Sequence, residues 1–299
     1  MTSEHRAGLP ILVGVDGSEP ALQALRWAAQ EARLRHTGLR LVHAFGLDDH
    51  SRPRWTGLRN GLPHVLLRDA CERLGAAAAQ VPPDIDVTTE LLEDYPTPRL
   101  VAESRHARLV VVGDRGLGGL AGLPVGSVAI TLAAHADCPV VVVRGEEPGG
   151  APRSEGPVVV GIDASPTSEA ALAFAFEKAA ARRAPLVALH STWLELVVPP
   201  MSAFLVDWVA IETKEYEVLA ERLAGWGEKF PDVPVERVVT WDRPARTLVE
   251  RSDGAQLVVV GSCGRGSFAG LVLGSVSHAL LHRANCPVAV IRPVGPADS

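Results

Sequence analysis

Lysine is scarce in this chain: Lys178, Lys214 and Lys229 are the only three, so arginine supplies nearly all of the positive charge. No Gly-x-x-x-x-Gly-Lys-Ser/Thr sequence occurs, which excludes a P-loop and its phosphate-gripping lysine. The dinucleotide fingerprint Gly-x-Gly-x-x-Gly fails as well, because Gly116-x-Gly118 runs on to Ala121 and Gly264-x-Gly266 to Ala269. The four cysteines form no Cys-x-x-Cys pair, which argues against a metal or disulfide framework. Cys138 and Cys286 each precede a proline and an apolar run and read as small core residues. Apolar runs stay far below the ~20 residues that span a bilayer. The first ten residues lack the pattern of a secretory signal, so a cytoplasmic protein is expected, with no membrane partner. A net charge of −6 argues against nucleic acid as a partner.

What the chain does contain, it contains twice. Leu109 to Val112 is an apolar run that breaks at Gly113 into Asp114-Arg115-Gly116; Gly126-Ser127 opens a helical-looking segment, and Cys138-Pro139 leads into Val140 to Val143. The same order returns in Leu257 to Val260, Gly261-Ser262-Cys263-Gly264-Arg265-Gly266, Gly274-Ser275 and Cys286-Pro287-Val288. Both copies obey one spacing, Gly-x2-Gly-x9-Gly-Ser. A valine-rich run bounded by glycine reads as a strand buried on both faces. Glycine at its end allows positive φ and close approach of a ligand to the main chain. Gly-Ser at a helix start offers unpaired N–H groups and a partial positive charge, a site for phosphate, with the serine hydroxyl as a further donor or as a cap. The alternative is a long loop that binds nothing. Identical internal spacing in two copies favours the ligand site.

Asp16-Gly17-Ser18 at the end of a first strand recurs as Asp163-Ala164-Ser165, so a whole domain is duplicated. Second strands cover Leu39–His43 and Pro185–His190, and third strands Ile85–Leu92 and Val233–Trp241. Ser18 and Ser165 read as helix caps, and Pro96 and Pro244 as first-turn residues of third helices. Helices are expected over Pro63–Gln80 and Ala203–Lys229. The alternation of strand and helix predicts an α/β protein with parallel sheets, helices on both faces, and a ligand crevice beyond the carboxyl ends of the strands. Domains are expected at 1–147 and 156–299, with 145–157 as a Gly/Pro-rich linker. The closing valine strands are expected at sheet edges and to pair antiparallel, within one chain or across a homodimer. His43 and His190 read as satisfied strand-end histidines, and the tryptophans as packing residues apart from Trp55 in a loop.

The glycine spacing, the strand-end Val-Asp-Gly-Ser, the Val-His pair closing strand two and the Cys-Pro-Val-Val-Val-Val tail together resemble the universal stress protein family, once per half. The resemblance implies two tandem, doubly wound, five-stranded sheets of strand order 3-2-1-4-5 and an ATP site in each. In that family's ATP-binding branch the aspartate and the end of strand two hold the adenosine part, and the glycine loop with its serine holds the phosphates. Carried across, this assigns Gly14, Asp16, Val42, Gly113, Arg115, Gly116, Gly126 and Ser127 to one site, with Asp114 and Val128 beside them. The second site takes Gly161, Asp163, Leu189, Gly261, Gly264, Arg265, Gly274 and Ser275, with Ser262, Gly266 and Val276 alongside. For the two aspartates the alternative is a turn residue bonding its own backbone. The chain departs from the family pattern at Asp114, which would repel phosphate unless it turns away or helps bind Mg²⁺, at Pro124, and at Cys263, which stands where the first copy has Arg115. No nucleophile–base–acid set is found. The expected function is an ATP-binding stress and growth regulator, not an enzyme, that signals to a protein partner. The rivals are a slow ATPase or phosphoryl-transfer enzyme using Asp16 or Asp114, and a scaffold with empty loops.

Overall fold

The protein is described as a computed structural model over residues 8–45, 62–93, 95–118, 124–145, 149–192, 208–264 and 272–292. Trp55, Trp193, Arg265 and Gly266 lie outside the described residues. The chain divides between Arg153 and Ser154 into two compact units.

In the first unit the order is β1 (Ile11–Gly14), α1 (Glu19–Arg35), β2 (Leu39–Phe45), α2 (Leu62–Ala78), β3 (Val87–Glu93), α3 (Pro96–Glu103), β4 (Leu109–Gly113), α4 (Ser127–His135) and β5 (Val140–Val143). Its strands pair in the order β3-β2-β1-β4-β5. Each of these pairings is parallel, with Ile11 opposite both Leu39 and Leu109, Leu39 opposite Val87, and Val110 opposite Val140. The second unit repeats this with β6 (Val158–Ile162), α5 (Pro166–Arg182), β7 (Leu186–Ser191), α6 (Trp208–Leu223), α7 (Trp226–Lys229), β8 (Val235–Thr240), α8 (Pro244–Arg251), β9 (Leu257–Gly261), α9 (Ser275–Arg283) and β10 (Val288–Ile291). The order there is β8-β7-β6-β9-β10, again parallel throughout. This is the α/β architecture expected from the alternation of strand and helix, and the strand order that the family resemblance implies.

Buried valines explain the central strands: Val110, Val111, Val158 and Val159 have no exposed surface, as strands covered on both faces require. Trp27 of α1 and Phe176 of α5 are each 1 % exposed and anchor the covering helices. Ser18 and Ser165 cap α1 and α5, their hydroxyls accepting the N–H of Ala21 and Ser168. Proline begins α3 and α8 at the first turn.

The single helix expected up to Lys229 is instead two. Gly225 takes φ 79 between them, a left-handed conformation that ends α6. The aromatic stack of Phe176 on Trp226, at 5.1 Å between ring centroids, pins α7 to α5.

A pair of staples escaped the sequence reading. Ser104 and Ser252 are fully buried just after α3 and α8. Each donates its hydroxyl to a carbonyl three residues back, and each accepts a backbone N–H, from Asp137 at 2.8 Å and from Asn285 at 2.9 Å. Each thereby ties the end of one helix to the turn that precedes the closing strand.

Candidate nucleotide site

In both units the carboxyl ends of the central strands open onto a hollow, about 360 Å³ in the first and 760 Å³ in the second. Both volumes fall in the range of roughly 300–1,000 Å³ usual for small-molecule sites. All the residues assigned to the first site line its hollow: Gly14, Asp16, Val42, Gly113, Asp114, Arg115, Gly116, Gly126, Ser127 and Val128. In the second, Gly161, Asp163, Leu189, Gly261, Gly264, Gly274, Ser275 and Val276 do so. Ser262 does not; it is 3 % exposed, and its backbone carbonyl accepts the Gly274 N–H at 2.7 Å.

One wall is a helix N-terminus. Gly126 is the N-cap of α4 and Gly274 that of α9, both in extended backbone, and neither helix receives a side-chain cap. Ser127 and Ser275 are therefore the first helical residues, not caps. A cap without a side chain leaves first-turn amides and the positive end of the helix dipole facing the hollow. The Gly126 N–H itself is used, donating to the Asp114 carbonyl at 2.7 Å.

The opposite wall is an aspartate held in a tight turn. Asp16 Oδ1 accepts the Ser18 N–H at 2.9 Å and the Ser18 hydroxyl at 2.6 Å, and Asp163 Oδ1 receives the same pair from Ser165. The first aspartate also reaches the glycine loop, since the Leu117 N–H donates to Asp16 Oδ2 at 2.7 Å. The carboxylate thus bonds its own turn and clasps the loop while still lining the hollow.

The loop glycines are small for a reason other than the one first expected. None of Gly113, Gly116, Gly261 and Gly264 takes positive φ. A Cβ on Gly113 would stand 2.6 Å from the Pro20 backbone, and one on Gly261 2.6 Å from Thr167 Oγ1. A Cβ on Gly116 or Gly264 would stand 2.4 or 2.5 Å from the aspartate Oδ2. Close approach of protein to protein, not a left-handed turn, demands glycine at these points.

The two histidines behave as structural groups. His43 Nδ1 donates to the Val15 carbonyl at 2.7 Å, and His190 Nδ1 to that of Ile162 at 2.8 Å. Asp114 is less ordinary: burial pushes its carboxyl above the usual value, opposed by Arg115 and Arg144. Arg115 Nε lies 3.8 Å from Asp114 Oδ1.

Several wall residues carried no motif. Tyr95, Pro96 and Leu100 close the first hollow, and Thr167, Glu215 and Cys263 stand in the wall of the second. Pro96 and Pro244 were visible as helix starts, and the topology alone brings them to the crevice; Glu215 sits on α6 with no sequence signal. Among the described residues, no three His, Cys, Asp or Glu side chains gather to hold a metal, and no helix is long and apolar enough to cross a membrane. Cys138 and Cys286 are buried, as expected of core residues.

Comparison with known proteins agrees with this double construction. The profile of the universal stress protein family matches residues 9–144 and again 156–292. The universal stress protein Rv2623 of Mycobacterium tuberculosis is 42 % identical over 301 residues, covering 97 % of this chain and 98 % of that protein. Rv2005c of the same organism is 41 % identical over 296 residues, covering 97 % and 99 %. Among solved structures, a universal stress protein from Archaeoglobus fulgidus superposes with a TM-score of 0.63 at 17 % identity, covering 95 % of this chain and 96 % of that one. The protein PA1789 from Pseudomonas aeruginosa gives 0.65 at 15 % identity, covering 98 % and 95 %. These two likenesses speak to the fold. On the two profile matches and on full-length identity near 40 %, the chain belongs to the universal stress protein family.

Proposed function

We propose that each hollow holds a nucleoside triphosphate and that the protein is an ATP-binding stress and growth regulator with up to two sites per chain. One observation carries this reading: in both units an uncapped helix N-terminus faces, across a hollow of ligand size, a strand-end aspartate. The helix end suits phosphate and the aspartate suits the hydroxyls of a ribose. Arg115 adds a cation on the phosphate side of the first site. The nucleotide would act by binding two conformations of the protein unequally, because a ligand moves an equilibrium only through differential affinity.

Mg²⁺ usually reaches such sites through one or two carboxylates together with the phosphates themselves. Asp114 is the fitting carboxylate in the first hollow, and the second has Ser262 at the matching place. Asp114 also keeps the slow-ATPase reading in view, since a carboxyl pushed up by burial is the type that takes part in proton transfer. A homodimer, a protein partner that reads nucleotide occupancy and a cytoplasmic location belong to the same proposal. Heat-denaturing the purified chain and running the supernatant on an ion-exchange column separates the readings. Released ATP is expected; ADP would favour hydrolysis, and no nucleotide would favour a scaffold with empty loops.

A further inference from the structure

Helices α2 and α6 carry the same three residues, Glu72-Arg73-Leu74 and Glu221-Arg222-Leu223, and both leucines are buried. The two arginines nevertheless do different things. Arg73 reaches the aspartate turn of the first hollow, its Nη1 donating to the Asp16 carbonyl at 2.8 Å. Its Nε donates to Asp69 Oδ2, one turn back on α2, at 2.8 Å, so the guanidinium is held at two points. Arg222 turns to α5 instead, with Nη1 3.2 Å from Glu169 Oε1.

Two differences in sequence account for this. The Arg73 stem lies against Gly17, where an added Cβ would stand 3.2 Å from its Cγ and Cδ. The second copy has Ala164 at that place, and its Cβ fills the space such a stem needs. Four residues past the capping serines, α1 has Leu22 and α5 has Glu169, so at that place the second copy offers its arginine an acidic partner and the first does not.

We infer that Arg73 is a positioning residue of the first hollow, fixing the Asp16 turn for the hydroxyls of a ribose, and that the second hollow works without this brace. This rests on the reading that the hollows bind nucleotides with the aspartate on the ribose. Arg73 is not in the wall of the hollow and acts through Asp16. Gly17 follows that aspartate at φ 84, and glycine leaves the turn more backbone freedom than any other residue. Asp16 Oδ1 is tied to the N–H and hydroxyl of Ser18 in the same turn, so what moves the turn moves the carboxylate. A guanidinium locked onto the Asp16 carbonyl removes that freedom before the ligand arrives. Preorganisation of this kind raises affinity without adding a contact to the ligand.

The test uses the full chain carrying Gly264→Val, which closes the second site, titrated with ATP and with 2′,3′-dideoxy-ATP, which lacks both ribose hydroxyls. ATP is expected to bind about tenfold more tightly than the dideoxy nucleotide. Arg73→Met keeps an apolar stem over Gly17 and deletes the guanidinium. It should lower ATP affinity about tenfold and leave dideoxy affinity unchanged, so the preference disappears. Gly17→Ala, which installs the residue of the second copy, should do the same with Arg73 in place. The double variant should lose no more than either single one, because both act on one contact. In a chain whose first site is closed by Gly116→Val, Arg222→Met should leave ATP affinity unchanged. Equal weakening of both nucleotides by Arg73→Met marks a general structural role and overturns the inference. An unaltered preference, additive losses in the double variant or a loss of ATP from Arg222→Met overturns it too, while leaving nucleotide binding intact. Failure of the unmutated chain to bind ATP overturns the nucleotide reading and this inference with it.

Discussion

Gly17 and Ala164 occupy the same turn in the two copies, yet only one of them suits it. Both take positive φ, 84 for Gly17 and 59 for Ala164. A residue with a Cβ pays about 1–2 kcal/mol for that conformation. Ala164→Gly is therefore expected to stabilise the protein by about 0.5–1 kcal/mol, the strain relieved exceeding the flexibility added to the unfolded chain. A denaturant midpoint that does not rise would refute this. Asp114 gives a second test, through pH. Its folded value is raised, so its protonated form is favoured; its contribution is present below the ordinary carboxylate range and is lost as pH rises through the raised value. Asp114→Asn should then stabilise the protein at neutral pH and lose that advantage in acid, a trend that melting curves across pH would follow. At this scale the sequence disclosed where chemistry was concentrated better than why. The glycine spacing marked the loop correctly, but the Pro20, Thr167 and aspartate atoms that exclude a Cβ come from distant stretches of chain and were invisible to spacing alone.

Among the elements, α4 and α9 matter most, because each begins with a glycine where a serine would hold the helix better. Gly126 already has the extended backbone of an N-cap, and a Cβ there would meet its nearest neighbour, the Asp114 carbonyl, at an ordinary 3.5 Å. Gly126→Ser should thus gain a few tenths of a kcal/mol of stability and lower nucleotide affinity at the first site about tenfold, its hydroxyl taking an amide that phosphate needs. Tighter binding together with higher stability would sink the idea that these amides are reserved for a ligand. The buried staples predict the reverse trade: Ser104→Ala strands the Asp137 N–H and should cost about 1–2 kcal/mol with nucleotide affinity unchanged. Strands and helix starts were legible because valine runs, capping serines and first-turn prolines are local signals, whereas the order of the strands came only with the family resemblance. The break at Gly225 was not, because an isolated glycine in a helical pattern is more often tolerated than used as a stop.

Across the whole molecule the duplication separates what the fold needs from what each copy does. Strand order, capping serines, Ser104 and Ser252, and the aspartate turns are kept in both units. The walls away from the helix N-terminus are not: among the described residues one is built by Val42, Ala44, Tyr95 and Leu100, and the other holds His190 and Glu215. The resemblance marked out both sites, yet it could not show this divergence, since Glu215 enters from a helix face that carries no motif. Among the described residues the two hollows share no lining residue, so occupancy of one should leave the other's contacts untouched. Calorimetric titration with ATP should therefore find two nucleotides per unmutated chain. Gly116→Val should abolish one and Gly264→Val the other, since each forces a Cβ into its own aspartate. A double variant should bind none. Nucleotide at one hundred times its dissociation constant stabilises a folded site by about 2.7 kcal/mol, so each single variant should retain a thermal shift and the double variant should show none. A single variant that abolished both binding events would mean that the two halves form one site, and the assignment of a separate ligand to each unit would fail.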